Sequence, residues 1–240
     1  MKVYLNGITG SEDAFESLLM SKRSWTEEKA NDIRDLVYRT TNRDGSIRKD
    51  ADPNDVEKLM KKIESICKFG KEHITLLRYI DLSFTVEGLH RAGQDDWDSH
   101  AKRFDNRIIR ASTRLARFGN EKSDFYNGKV LTTDEVVEHL GIELPSEITV
   151  DGKKYVRCIN GYVLDEYKDD NDVLRGLYML SIPSNFIFKV NLTEFAHVYK
   201  CRNEKTHANP EVKELCEKCV DALESKYSMF NRELLSEIEN

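Results

Sequence analysis

Residues 80 to 86, Ile80-Asp81-Leu82-Ser83-Phe84-Thr85-Val86, alternate apolar and polar side chains, while the segments on either side follow a helical period. An alternation of period two puts every second side chain on the same face, so this run predicts a strand with one buried side. Upstream, Val56, Leu59, Met60, Ile63, Ile66 and Cys67 form a stripe at 3.6-residue spacing from Asp55 to Lys68, and Gly70 supplies the stop. After Gly88 the period becomes helical again. A chain that mixes the two periods in this way predicts an α+β fold.

Other helices carry their own signals. Ser24 to Arg39 has Thr26 as a cap before Glu27 and Glu28, with Ile33, Leu36 and Val37 on one face. Asn191 and Glu194 have capping-box spacing. In the helix they open, Leu192, Phe195, Val198 and Tyr199 face inward, and His197 and Arg202 fall near the edge of the apolar face. Pro210 and Glu211 suit the first turn of a last helix, whose stripe is Val212, Leu215, Cys216, Cys219, Val220 and Leu223.

Between Ser99 and Phe118, apolar residues at steps of three and four predict a further helix. Arg103, Arg107, Arg110, Arg114 and Arg117 share its neighbouring stripe, where like charges repel. That stripe is either a solvated face paired with acids or an anion site. Residues 121 to 170 read as an insertion. Thr133 caps a short helix through Leu140, and the turn signals Asp151-Gly152 and Asn160-Gly161 divide residues 147 to 165 into a three-stranded β-meander, too small to be stable alone.

With 240 residues the expectation is one domain, residues 1–240. No apolar run approaches the ~20 residues that cross a bilayer, the mean hydropathy is −0.60, and the first residues turn polar too early for a signal peptide. Five scattered cysteines suit a reducing compartment, so a cytoplasmic location is expected, with Cys216 and Cys219 as buried thiols and no metal site. A net charge of −6 and the lack of an aromatic platform argue against nucleic acid as a partner.

The stretch from Leu174 to Val212 resembles the flavin-dependent thymidylate synthase family. In that family an Arg precedes a Leu-Pro turn, followed by Asn-x-Arg, a His or Asn, an Arg, and His-Ala-Gln with Glu-Ile. Here Arg175, Asn191, His197, Arg202, His207-Ala208 and Glu211 take those places. Upstream, His73-Ile74-Thr75 with the strand after it resembles the family's His-x-Ser/Thr-Pro-x-Glu-His segment. His90-Arg91, Ser99-His100-Ala101 and Ser112-Thr113-Arg114 resemble its Ser-Arg, Arg-His-Arg and Ser-x-Arg elements. The likeness is weak over residues 55 to 118 and good over 173 to 224.

The resemblance implies helices packed on a small antiparallel sheet, and an enzyme moving a one-carbon unit from methylenetetrahydrofolate to C5 of dUMP or a related pyrimidine nucleotide. FAD would supply the hydride after NADPH has reduced it, and the assembly would be a homotetramer. Arg175 and Arg202 would contact the nucleotide, with Arg202 the catalytic group beside the pyrimidine, and Ser112 and Arg114 would take the phosphate. His73, Thr75, Ser99, His100, Asn191 and His197 would lie on the flavin side. The chain departs from the pattern: Ser99 and Ala101 replace the arginines flanking His100, Arg110 and Arg78 replace glutamates, and Thr193 replaces an arginine. An alternative follows from those departures, a nucleotide-binding homologue that has lost flavin chemistry.

Overall fold

A computed structural model gives the structure of residues 1–70, 73–98, 107–112, 121–204, 208–228 and 230–238. Its strands are β1 (Lys2–Thr9), β2 (Asp81–His90), β3 (Arg107–Arg110), β4 (Glu147–Val150), β5 (Lys153–Cys158), β6 (Gly161–Leu164) and β7 (Pro183–Asn191). The helices are α1 (Ser11–Ser21), α2 (Glu27–Thr40), α3 (Pro53–Gly70), α4 (Arg91–Asp98), α5 (Thr133–Leu140), α6 (Asn171–Leu174), α7 (Leu192–Glu204), α8 (Pro210–Lys226) and α9 (Arg232–Ile238). One sheet has the order β1-β2-β7-β3 and a second the order β4-β5-β6. The architecture is the expected α+β one.

The backbone divides into two compact units, a larger one of residues 2–86, 99–109 and 187–240 and a smaller one of residues 1, 87–98 and 110–186. In the larger unit the period-two signal of β2 is realised as written: Leu82, Phe84 and Val86 are fully buried while Asp81, Ser83 and Thr85 are partly exposed. Phe84 stacks on Phe188 of β7 at 5.2 Å between ring centroids and on Phe195 of α7 at 5.7 Å, so sheet and helix share one aromatic cluster. On the opposite side of β2, Asn6 of β1 donates to Ser83 and Thr85 (3.3 and 3.1 Å), and Lys189 pairs with Asp81 at 3.1 Å.

Helix α7 starts where expected. The Asn191 carboxamide oxygen accepts from the Glu194 amide at 2.9 Å and from the Thr193 hydroxyl at 2.6 Å, which satisfies one of the free donors of the first turn. Leu192, Phe195, Ala196 and Val198 are buried, and α7 packs on α8, α9 and the 3-10 turn Ile74–Tyr79. Helix α8 buries the whole predicted stripe; Cys216 and Cys219 are buried free thiols, and burial pushes the Cys219 thiol well up. Thr26 caps α2 by accepting from the Lys29 amide at 3.3 Å.

Strand β1 and helices α1 and α9 carry no signal strong enough to be read from the sequence. The outer edge of β1 is covered by the turn around Gly45, whose carbonyl accepts from Ile8 at 3.4 Å. Gly45 has φ +82°, and a Cβ there would meet the Ile8 carbonyl oxygen at 2.0 Å, so only glycine allows this close crossing.

One expectation is corrected. Residues 107–110 form β3 at the end of the β1-β2-β7-β3 sheet, and Ala111 donates to the Asn185 carbonyl at 2.9 Å, so no continuous helix runs from Ser99 to Phe118. The β-branched pair Ile108-Ile109 suits a strand, and a strand dissolves the stripe in which five guanidinium groups would repel. Arg103, Arg114 and Arg117 lie outside the described residues.

In the smaller unit the insertion forms the predicted meander. Tyr155 pairs with Leu164, and Val150 with Lys153 across a turn where Asp151 and Gly152 both have positive φ. The cap of α5 is Thr132, one residue earlier than read from the sequence, in a reciprocal capping box with Glu135. Lys122, 9% exposed, donates to both Glu135 oxygens at 2.7 and 2.8 Å. That bond, with the Thr132 amide, holds the Glu135 carboxyl down at about 2.

His90, at the end of β2, is completely buried, with its ring parallel to Phe125 (5.9 Å) and the Tyr126 ring edge-on at 4.7 Å. Burial lowers the imidazole pKa below its usual 6.5 against the opposing pull of Asp96. A depressed folded-state pKa means stability fully present above 6.5 and lost as the pH falls from there through the folded value. Urea midpoints of the wild type are therefore expected to drop in that window, with a limiting slope of ~1.4 kcal/mol per pH unit. His90→Phe should flatten that part of the profile; an unchanged slope would remove His90 as its origin.

Candidate functional site

Candidate residues fall in both units. In the smaller unit, helix α4 begins at Arg91, and its first amides are anchored: Arg91 N donates to the Ile182 carbonyl and Ala92 N to the Leu180 carbonyl, both at 3.1 Å. Gln94 is fully buried, and its amide donates to the carbonyls of Leu89 (3.3 Å) and Ser184 (3.0 Å). The Gln94 side-chain oxygen accepts from Arg91 at 3.4 Å, and its backbone oxygen accepts from Arg110 at 3.4 Å. Two guanidinium groups thus share one immobilised residue.

Their charges are balanced differently. Arg110, only 17% exposed, is engaged by Asp95 at 2.5 Å and by Asp98. Arg175, on the 3-10 turn Arg175–Leu177 and half exposed, has Asp172 at a loose 3.6 Å. The half-buried Arg91 has no carboxylate partner among the described residues. Burial, and then the positive charges of Arg110 and Arg175, lower its pKa, with Asp95 opposing. A cation held in this way is stabilised by an incoming anion, since the ligand supplies the missing countercharge. Ser112, two residues beyond Arg110, is half-buried in the same unit.

Sequence alone does not mark Arg91 as a site residue, because its lack of a carboxylate partner among the described residues is visible only in space. Arg110, conversely, stands where the family has glutamate, and its two aspartates occupy it as a tie between β3 and α4.

The larger unit holds Arg202, His73, Thr75, Asn191 and His197. Asn191 is buried, with its oxygen engaged at the α7 cap. One turn further, His197 and Cys201 lie at i and i+4, with the Cys201 sulfur 3.5 Å from Nε2 and 4.0 Å from Nδ1. Arg202 follows directly, and both it and Cys201 are half-buried. His73 and Thr75 are exposed at the turn against which α7 packs, and the His73 ring stacks on Phe69 at 4.6 Å. Thr75 thus offers an exposed hydroxyl, His73 an exposed ring already stacked on an aromatic, and His197 a half-buried imidazole. Ser99, His100 and Arg114 lie outside the described residues.

Two open clefts involve none of these residues: one of about 650 Å³ beside Asp134 and Arg157, the other of about 890 Å³ between Tyr38, Arg43 and Glu12. Among the described residues no group of three His, Cys, Asp or Glu side chains could hold a metal ion, and no helix is long and apolar enough to cross a membrane.

The model of the family Thy1, thymidylate synthase complementing protein, matches residues 18–227. A crystal structure of flavin dependent thymidylate synthase ThyX from Helicobacter pylori, complexed with FAD and dUMP, is similar at TM-score 0.54 and 15% identity, covering 98% of this chain and 100% of that one. A second ThyX structure from the same organism, also with FAD and dUMP, gives 0.53 and 13% over 98% and 100% of the two chains. The UMP/dUMP methylase PolB from Streptomyces cacaoi, bound with 5-Br dUMP, gives 0.50 and 11% over 95% and 92%. No curated protein matches. At these identities the structural likeness establishes the fold.

Proposed function

Because this chain belongs to the thymidylate synthase complementing protein family, we propose that it is a flavin-dependent thymidylate synthase-like enzyme that moves a one-carbon unit from methylenetetrahydrofolate to C5 of dUMP or a related pyrimidine nucleotide. The observation that carries the nucleotide half of this reading is Arg91, a half-buried guanidinium with no carboxylate partner among the described residues, beside Arg110 and Arg175. A phosphate monoester fits such a group because a planar guanidinium can donate two parallel charge-assisted bonds to it. Arg175, Ser112 and, from the family resemblance, Arg114 would complete the phosphate contacts.

Arg202 has the second task. One-carbon transfer to C5 requires negative charge to build on the pyrimidine ring, and a fixed cation beside the ring lowers the energy of that state. His73, Thr75 and His197, with Ser99, His100 and Asn191 from the family resemblance, would hold FAD, which when bound supplies the hydride; NADPH is its proposed reductant. The remaining work of the chain is orientation, keeping the nucleotide and its partners in one geometry. A homotetramer in the cytoplasm completes the proposal, and light scattering should return four times the 27.9 kDa chain mass; a monomer would contradict it.

Arg91→Ala is expected to weaken dUMP binding by roughly tenfold in calorimetry, the scale of one charge-assisted hydrogen bond. Thermal stability should hold or rise slightly, because the substitution relieves repulsion with Arg110 and Arg175. Wild-type affinity in this variant would overturn the phosphate assignment. The enzyme reading also requires purified protein to bind FAD and its absorbance to be bleached by NADPH.

A second reading has one specific observation in its favour. Thr193 stands where the family has arginine, and its hydroxyl bonds the Asn191 oxygen, so both side chains are engaged with each other at the α7 cap. A nucleotide-binding homologue without flavin chemistry would show a thermal shift with dUMP and none with FAD.

A further inference from the structure

Residues 121–170 carry twelve acidic and six basic side chains, while the rest of the chain carries 31 of each, so the whole net charge of −6 sits in this one segment. Four of the six bases are matched inside it: Lys122 with Glu135, Lys154 with Glu147, Arg157 with Asp134 and Lys168 with Asp165. Glu138 and Glu143 have no cation partner among the described residues. Helix α5 lies in this segment and buries none of its residues. A helix of eight residues is marginal in isolation, and α5 is held at its ends. The Thr132–Glu135 capping box and Lys122 fix its start; at Gly141 (φ +65°) the amides of Gly141 and Ile142 donate to the Glu138 and Val137 carbonyls at 3.2 and 3.1 Å. Its apolar side chains are left to solvent. Val136 and Leu140 share a face at i and i+4, and with Leu131 before the cap and Ile142 after Gly141 they are 38%, 59%, 63% and 50% exposed. The cleft of about 650 Å³ that Asp134 and Glu143 line, with Leu144, Val156 and Ile159, adjoins this helix.

We infer that α5, residues 141–144 and the adjoining cleft dock a basic, apolar segment of a protein partner. Large apolar side chains left in water on one short helix and its two flanks mark an interaction surface. Charge selects what covers it. Glu138 and Glu143 bracket Leu140 and Ile142 in the chain, so lysine or arginine side chains of the partner meet carboxylates while its apolar side chains cover Leu140 and Ile142 and enter the cleft. The surplus negative charge repels an acidic protein, a nucleic acid and an anionic membrane, and it opposes pairing with the same segment of a second copy. No residue of the proposed nucleotide site lines the cleft, so docking and dUMP binding can be measured separately.

Full-length protein is panned against a phage library of random dodecapeptides at physiological ionic strength; enriched peptides are synthesised and their affinity is measured by fluorescence anisotropy. The expected selection is for peptides that combine Lys or Arg with large apolar residues, and whose binding weakens as salt is added. Two double variants test the surface, Leu140→Ser with Ile142→Ser and Glu138→Lys with Glu143→Lys. Each should bind such a peptide at least about tenfold more weakly than wild type. Their dUMP affinity and urea midpoint should be unchanged, since all four side chains are exposed. No enrichment, or enrichment of acidic peptides, overturns the proposal. A loss confined to the charge variant reduces the binding to unspecific attraction between opposite charges, and a loss confined to the apolar variant removes the basic partner; either result overturns it. If the Leu140→Ser, Ile142→Ser protein instead shows a lower mass by light scattering, the face joins copies of this chain and the inference fails.

Discussion

Arg202→Ala is expected to weaken dUMP binding by roughly 10- to 150-fold, corresponding to ~1.5–3 kcal/mol for a hydrogen bond to a charged group. The expectation depends on where Arg202 sits. Helix α7 is held by Leu192, Phe195, Ala196, Val198 and Tyr199, all buried, and begins at a cap made by Asn191. Arg202 lies in its last turn and is half-buried. Its removal should therefore leave the helix in place and the urea midpoint nearly unchanged. A structural ion pair predicts the reverse: breaking it would strand a buried charge and cost about 3–5 kcal/mol of folding stability, with affinity falling only as the folded fraction falls. Measuring both quantities on the one variant separates these outcomes. A well-folded Arg202→Ala protein with wild-type affinity would sink the assignment.

Phe84→Ala should have the largest effect on folding, about 3–5 kcal/mol, the usual cost of emptying a fully buried phenylalanine site. Phe84 is 0% exposed and lies against Phe188 and Phe195, so its loss opens a cavity between β2, β7 and α7 and removes two aromatic contacts at once. Phe84 is remote in sequence from Phe188 and Phe195, which lie on the consecutive elements β7 and α7, so no local collapse can refill the space cheaply. Phe84→Leu, which keeps most of the apolar volume, should cost clearly less. Because α7 also carries His197 and Arg202, nucleotide binding by Phe84→Ala should fail at a lower urea concentration than in wild type. A midpoint within experimental error of wild type would contradict the placement of Phe84 in the core.

The acid sensitivity expected from His90 is independent of both. It arises in the smaller unit and titrates between the ordinary imidazole value and a lower one, whereas the Phe84 effect should be flat with pH.

Much of the fold was legible in the residues because burial and secondary structure share a period. The alternation from Ile80 to Val86 and the stripes of α3, α7 and α8 each specify which side chains go inward, and the structure buries nearly all of them. Turn chemistry was equally direct: Asp151-Gly152 takes positive φ, which few other pairs accept. The polar motif from Arg175 to Glu211 identified the family because its spacings are kept even where the intervening residues are not.

Tertiary structure alone decided the rest, since those features depend on partners distant in sequence. Ile108 and Ile109 fit a helical stripe as well as a strand, and only the neighbouring edge of β7 resolves them into β3. The 121–170 segment shows its turns in sequence, but the half-buried Lys122 that anchors the α5 capping box belongs to no local motif. Charge balance is the clearest case. Sequence lists Arg91, Arg110 and Arg175 as equals; space gives two aspartates to Arg110 and a loose one to Arg175, and leaves Arg91 with none among the described residues. Coulomb energy falls with distance and with solvent between the charges, neither of which is written in the order of residues along a chain.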